Sequence, residues 1–223
     1  MNCTQHLFQL SIIRFDNAYY LFQVINGVSG DILTITQIRR RRFRWRRYHA
    51  NSQILIITIP TSVHESLHLS LHDKYYGQLV KGGIQMTWMP KCCTSFRASH
   101  SGGDFGEGDS TGGPHPGRLG RSEWPTLVIE TGDSESLDQL HVDMQWWYSI
   151  SNHDVKIVIL TKFDHGQCKI ILDKWDEEAA ATRLGATTTR RAAALQSTIA
   201  IGHSQATNPV SYNVTRGALI LSP

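Results

Sequence analysis

Cysteine is scarce in this chain of 223 residues, which has only four, at irregular spacing. Cys92 and Cys93 are chain neighbours, and adjacent cysteines rarely bridge each other because the geometry strains the bond. Small secreted domains that depend on disulfides carry a denser and more regular set. The cysteine content therefore excludes a disulfide framework and favours a reducing compartment.

Long apolar runs are also missing. The apolar stretch at residues 7–13 is interrupted by Gln9 and Ser11 and follows no basic region. No later run approaches the roughly 20 apolar residues of a membrane helix. We therefore expect a soluble protein without a secretion signal, located in the cytoplasm or the nucleus.

A net positive charge is absent from the chain outside one segment. The formal net charge is +3, and without seven neighbouring arginines it would be −4. This segment, interleaved with Phe43, Trp45 and Tyr48, has the composition to contact phosphates and stack on bases. The alternatives are a nuclear import signal or a solvated basic tail. The candidate nucleic-acid-binding residues are Arg39, Arg40, Arg41, Arg42, Arg44, Arg46 and Arg47.

Hydrophobic patterning divides the chain into three parts. Residues 1–51 keep neither the helical nor the strand period and are predicted to be weakly ordered. Residues 52–176 are strongly patterned and predict the folded core, while residues 177–223 predict a linker with a candidate late strand. Inside the core, residues 99–123 hold eight of the 18 glycines and predict a disordered loop or an insertion.

The core pattern predicts an α/β fold, of the α+β type with a mixed sheet. Ser62 and Glu65 form a capping-box pattern at the start of one helix, whose apolar side carries Val63, Leu67 and Leu71. Ser134 and Ser136 are candidate caps for a second helix. The predicted elements are a strand at 54–59, a helix from 62 until Gly82, strands at 84–89, 94–98 and 126–130, a helix at 137–150, and strands at 155–160 and 168–172.

Five segments carry a family resemblance that covers most of residues 53–221. They are residues 60–65 (PTSVHE), 95–97 (SFR), 125–137 (PTLVIETGDSESL), 154–160 (DVKIVIL) and 212–215 (YNVT). Together with the element order they resemble a family of fungal proteins with a PD-(D/E)XK nuclease-like core, similar to the bacterial Uma-type endonucleases.

The resemblance implies a restriction-endonuclease-like core and Mg²⁺-dependent phosphodiester hydrolysis. It implies Glu130 and Glu65 as catalytic and metal-binding acids, since Mg²⁺ takes oxygen ligands. His141 on the second helix is the nearest basic candidate. The alternatives for these residues are a solvated strand-end acid for Glu130, a helix-capping acid for Glu65 and a surface histidine for His141.

Two positions depart from the family motif. Cys93 stands where the family has an aspartate before the Ser-Phe-Arg segment, and a thiolate is poorly suited to Mg²⁺. Gly132 replaces the lysine expected two residues after Glu130. Asp104 and Asp109 lie in the glycine-rich segment, from which we do not expect ligand geometry to be held. The departures predict weak or lost catalysis, and the alternative function is a non-catalytic nucleic-acid-binding or scaffolding protein that uses the arginine segment.

A competing motif lies at the start of the first helix. Residues 64–68 (HESLH) match H-E-x-x-H, in which two histidines bind Zn²⁺ and the glutamate activates water. The continuation with a glycine and a third histidine is absent. Histidines on the solvated face of an amphipathic helix also explain the pattern. A zinc peptidase is therefore the less favoured alternative.

Overall fold

The chain separates into two compact units, each with its own sheet. A computed structural model describes residues 22–25, 44–91, 94–98, 103–117, 123–179, 191–204, 211–215 and 218–221. Unit 1 comprises residues 1–61 and 95–107, and unit 2 comprises residues 62–94 and 108–223. The prediction of a mixed α/β protein is confirmed, since both units contain sheets and unit 2 adds two helices.

Unit 1 is a sheet of five strands in the order β1-β3-β2-β6-β5. Its buried apolar cluster includes Trp45, Tyr48, Leu55 and Phe105. The strands are β1 (Phe22–Ile25), β2 (Arg44–His49), β3 (Ile54–Thr58), β5 (Phe96–Arg97) and β6 (Phe105–Gly106).

Within the segment predicted to be weakly ordered, β1 and β2 are strands that both pair with β3. Residues 1–21 and 26–43 lie outside the described residues. The register of β2 against β3 shifts between Trp45 and Arg47. Trp45 and Tyr48 are three positions apart and both lie in the core of the unit, so the sequence shows no regular strand alternation here.

Unit 2 is a sheet of seven strands in the order β12-β11-β10-β9-β8-β7-β4. Pairing is antiparallel except between β8 and β9, which run parallel. A parallel pair needs a crossover connection, and a helix supplies it here. The strands are β4 (Trp88–Pro90), β7 (Ser110–Pro114), β8 (Leu127–Gly132), β9 (Ile157–Asp164), β10 (Lys169–Ala179), β11 (Arg191–Ser204) and β12 (Ser211–Thr215).

The crossover helix α2 (Leu137–Ile150) has the predicted bounds. Ser136 is its N-cap: the Ser136 hydroxyl accepts from the Gln139 amide, and the Gln139 side chain accepts from the Ser136 amide. This reciprocal capping box satisfies two amides that the first helical turn leaves without partners. One of the two predicted capping serines is thus confirmed.

Helix α1 (Ser62–Lys81) also begins where the sequence predicts. Its predicted apolar stripe is only half-buried, and Val63, Leu67 and Leu71 line a groove of about 540 Å³ against β9–β11. The buried residues of α1 are His64 and His68. The expectation of solvated histidines is therefore wrong. The helical period alone does not predict which face of α1 packs against the rest of unit 2.

The glycine-rich segment and the C-terminal part differ from prediction as well. Within residues 99–123, β6 and β7 are ordered strands that pair with neighbours in their own sheets. Beyond residue 176, β10 continues to Ala179 and is followed by β11 and β12, so the region predicted as a linker extends the sheet. No helix among the described residues is long and apolar enough to cross a membrane.

Candidate functional site

Asp109 lies where three elements of unit 2 meet. It directly precedes β7 and is buried. Its Oδ2 accepts a hydrogen bond of 2.8 Å from the Thr131 amide on β8, and the same oxygen lies 3.1 Å from Nε2 of His64 on α1. The preceding Gly108 allows this close approach, since a Cβ there would lie 2.7 Å from Cγ2 of Thr111.

Glu130 is the residue of β8 just before Thr131, and it follows Ile129, which pairs with Ser110 at the start of β7. Glu130 is buried, which makes the solvated strand-end alternative wrong. Its Oε1 accepts a 2.5 Å hydrogen bond from Nε1 of Trp147 on α2. A buried carboxyl group needs such a partner, because burial without hydrogen bonds is costly.

Glu130 and Glu65 lie on opposite faces of the sheet. Ile129 packs beside Leu71 and Tyr75 of α1, whereas Glu130, the next residue, contacts Trp147 of α2. Successive strand residues point to opposite faces. The structure therefore does not bring the two predicted acids into one group.

Glu65 instead belongs to a group formed within α1. One ligand atom each from His64, Glu65 and His68 lies within 4.8 Å of the other two. Nδ1 of His64 is 3.4 Å from Glu65 Oε1, and Nε2 of His68 is 3.5 Å from the same oxygen. Among the described residues this is the group whose spacing suits a metal ion.

Gly132, at the position where the resemblance implies a lysine, is tightly packed. A Cβ there would lie 2.9 Å from Cδ1 of Leu140, so a larger side chain requires the Leu140 side chain to move. Lys162 is the ladder partner of Gly132 on β9, and its Nζ donates to the Asp133 carbonyl at 2.7 Å.

Burial lowers the pKa of Lys162, although Glu135 and two nearby aspartates oppose the shift. Lys162 thus lies on β9, one strand away from position 132 of β8, where the resemblance implies a lysine. Its Nζ contacts, however, are with main-chain carbonyls at the strand end.

His141 lies farther from the acids. Its Nε2 is 3.7 Å from Asp173 Oδ2 on β10, and its ring packs edge-on against Trp175. Asp173 pairs with Leu160, which in turn pairs with Glu130, so β9 separates His141 from Glu130. The structure does not join His141 to Glu130 or Glu65.

The arginine segment is described only in part, because Arg39–Arg42 lie outside the described residues, as does Cys93. Arg46 and Arg47 are 8% and 3% exposed in unit 1. Nη1 of Arg46 donates to Thr58 Oγ1 at 3.4 Å. In their present positions these two guanidinium groups have little surface available for a phosphate.

The sequence does not predict Asp109 as a metal ligand, because Asp109 lies in a glycine-rich segment. Strand β7 has the sequence STGGP, with no apolar alternation from which a strand could be predicted. Only its pairing with the strongly apolar β8 gives it order. The local sequence pattern therefore does not predict the position of Asp109. Its carboxylate is nevertheless a residue type that can bind a metal ion.

Comparison of the chain with models of protein families and with curated proteins found no match.

Proposed function

We propose that unit 2 is a metal-dependent phosphodiesterase with a restriction-endonuclease-like core. The order α1, β4, β7, β8, α2, β9 supports this proposal, with β8 and β9 parallel and joined by α2. The family resemblance implies the order strand, helix, three strands, helix, strand. The strands predicted at 54–59 and 94–98 correspond to β3 and β5 of unit 1, and β7 is the middle one of the three strands in unit 2. The cut bond would be a phosphodiester of a nucleic acid.

The observation that carries the proposal is the position of Asp109 beside the end of β8. The hydrogen bond from the Thr131 amide holds the Asp109 carboxyl group beside β8, next to the residue that follows Glu130. Two acids on neighbouring strands are what this reaction requires, and Asp109 supplies the one that Cys93 does not.

The donor set fits Mg²⁺ or Mn²⁺. Asp109 and Glu130 both offer carboxyl oxygens, the ligands that these hard cations prefer. The contacts with Thr131 and Trp147 orient the two acids. Asp109 and Glu130 would hold the cation, which when bound polarises a phosphate oxygen and activates water.

Lys162 is the residue that would offset phosphate charge. It shares a ladder position with Gly132 and lies at the same sheet end as Glu130. Since its Nζ now donates to the carbonyls of Asp133 and Phe163, it would have to turn to reach a phosphate. We therefore assign it a supporting role.

Cleavage of supercoiled plasmid in the presence of Mg²⁺ or Mn²⁺ tests the proposal. We expect nicking by the wild-type protein, and a loss of at least about 100-fold in Asp109→Asn and Glu130→Gln, because each removes a charged ligand. Lys162→Met should reduce the rate by a smaller factor. Asp138→Asn is the matched control, since Asp138 is exposed on the first turn of α2.

Circular dichroism and thermal melting establish that each variant is folded. Cleavage that persists in both folded acid variants, or that needs no metal ion, would overturn the assignment. A folded wild-type protein that cleaves neither plasmid nor single-stranded DNA would overturn the activity itself.

A further inference from the structure

The first turn of α1 places two imidazoles and one carboxyl group around a common point. His64 and His68 are 2% and 1% exposed, whereas the side chain of Glu65 is 34% exposed. The centroids of the two histidine rings are 5.6 Å apart. The histidine rings and Glu65 Oε1 are buried, and only the remainder of the Glu65 side chain reaches solvent.

The distances within this group are those of ligands rather than of hydrogen bonds. Glu65 Oε1 lies 3.4 Å from His64 Nδ1 and 3.5 Å from His68 Nε2. An N–H···O bond is usually close to 2.9 Å. Two ligand atoms that each lie about 2.1 Å from one tetrahedral metal ion are roughly 3.4 Å apart. Both measured separations match the spacing of two ligand atoms on one metal ion.

The opposite nitrogen of each ring contacts the start of β7. His64 Nε2 is 3.1 Å from Asp109 Oδ2, and His68 Nδ1 is 2.9 Å from Ser110 Oγ. Metal-binding histidines are usually oriented in this way, because a bond at one nitrogen fixes the tautomer and leaves the other nitrogen facing the metal. Ser110 thus orients the His68 ring through a hydrogen bond, and Asp109 contacts the His64 ring at ion-pair distance.

We propose that His64, Glu65 and His68 bind a divalent transition metal ion such as Zn²⁺ or Co²⁺, with Asp109 and Ser110 as outer partners. Imidazole ligands favour these ions over Mg²⁺ and Ca²⁺. Glu65 is a ligand in this arrangement, which differs from the H-E-x-x-H peptidases, where the glutamate activates water.

Binding of Co²⁺ and Zn²⁺ to metal-free protein tests this site. The protein is treated with a chelator, dialysed and titrated with CoCl₂ in the spectrophotometer and with ZnCl₂ in the calorimeter. We expect one equivalent to bind, and Zn²⁺ to raise the melting temperature because it binds the folded state. His68→Ala should abolish binding, and Glu65→Gln should weaken it at least tenfold.

Two further variants sharpen the result. Asp109→Asn should weaken binding by about 10-fold to 100-fold, which is the usual effect of losing an outer partner. His72→Ala is the matched control, since His72 lies one turn farther along α1 and contacts Asp73. It should bind like the wild-type protein. Glu65→Gln decides the matter if His68→Ala does not fold, because the side chain of Glu65 is partly exposed.

The site is refuted if the folded wild-type protein binds no equivalent of metal, if Glu65→Gln retains wild-type affinity, or if His72→Ala loses as much affinity as Glu65→Gln. This inference does not depend on the proposed phosphodiesterase reaction. Metal binding without cleavage would count against the reaction alone. Mg²⁺-dependent cleavage by a protein that binds no Zn²⁺ would count against this site alone.

Discussion

Glu130 is a buried acid, and its position depends on a few specific hydrogen bonds. The shortest of these comes from Trp147, whose indole donates to Glu130 Oε1 at 2.5 Å. Trp147 is itself buried among Trp124 and Trp146. The aromatic cluster therefore both fills the core beside α2 and orients the acid.

Replacing Trp147 with phenylalanine tests this double role. The variant loses the indole donor and some volume, so we expect the free energy of unfolding to fall by about 2–4 kcal/mol. Under the proposed function, plasmid cleavage should fall as well, because Glu130 would no longer be held. Urea denaturation measures the first effect and the plasmid assay the second.

Trp146→Phe is the control for this prediction. It removes the same atoms from the same helix and the same cluster, whereas the indole that donates to Glu130 Oε1 is that of Trp147. We expect a stability loss from volume alone and cleavage close to wild type. Equal losses of cleavage in the two variants would show that the bond to Glu130 has no role in the reaction.

At the scale of elements, helix α2 links the two central strands of unit 2 and begins at a capping box. Both hydrogen bonds between Ser136 and Gln139 are present. Because α2 is the crossover between β8 and β9, its first turn also sets where the chain leaves the end of β8. The cap should therefore contribute measurably to the stability of unit 2.

We expect Ser136→Ala to lower the free energy of unfolding by about 1 kcal/mol, since the Gln139 amide loses its acceptor. Ser149→Ala on the same helix is the comparison, because Ser149 is exposed and donates only to the Trp146 carbonyl. It should be neutral or slightly stabilising, as alanine has the higher helix propensity. Chemical denaturation of both variants distinguishes these outcomes, and equal effects would contradict a capping role.

At the scale of the whole molecule, the distribution of charge is the main feature. Seven arginines in one segment change a chain of formal charge −4 into one of +3. Arg46 and Arg47 are buried in unit 1, so any electrostatic binding of nucleic acid should depend mostly on the other members of the segment. Electrostatic binding of nucleic acid by this segment is the alternative, non-catalytic function.

Changing Arg39, Arg40, Arg41 and Arg42 to glutamine tests that function. If these residues contact phosphates, the slope of log K against log salt should become shallower by up to roughly 3–4, because each contact contributes about 0.9. Fluorescence anisotropy with a labelled duplex at several salt concentrations measures the slope. A variant with Lys74, Lys81, Lys156 and Arg191 changed to glutamine removes the same charge from exposed positions elsewhere. A comparable change of slope in that variant would exclude the arginine segment as the interface.

Strands with strong local patterns and the helix after them were predictable from the sequence. Strand β8 is apolar until Glu130, and α2 follows a serine cap, so their bounds need no knowledge of neighbours. Strand β11 shows the opposite case. Its alanine-rich start at residues 191–195 has helix-forming composition, and pairing with β10 outweighs that propensity.

By itself the sequence determined the mixed α/β class, helix α2 with its cap, and the identity of the acids and histidines that chemistry can use. The tertiary structure alone decided which of them meet. It separated Glu65 from Glu130 because adjacent residues of β8 point to opposite faces. It joined Asp109 to both β8 and α1 because long-range pairing ordered a glycine-rich strand. Such contacts form between residues distant in the chain, and no local period encodes them.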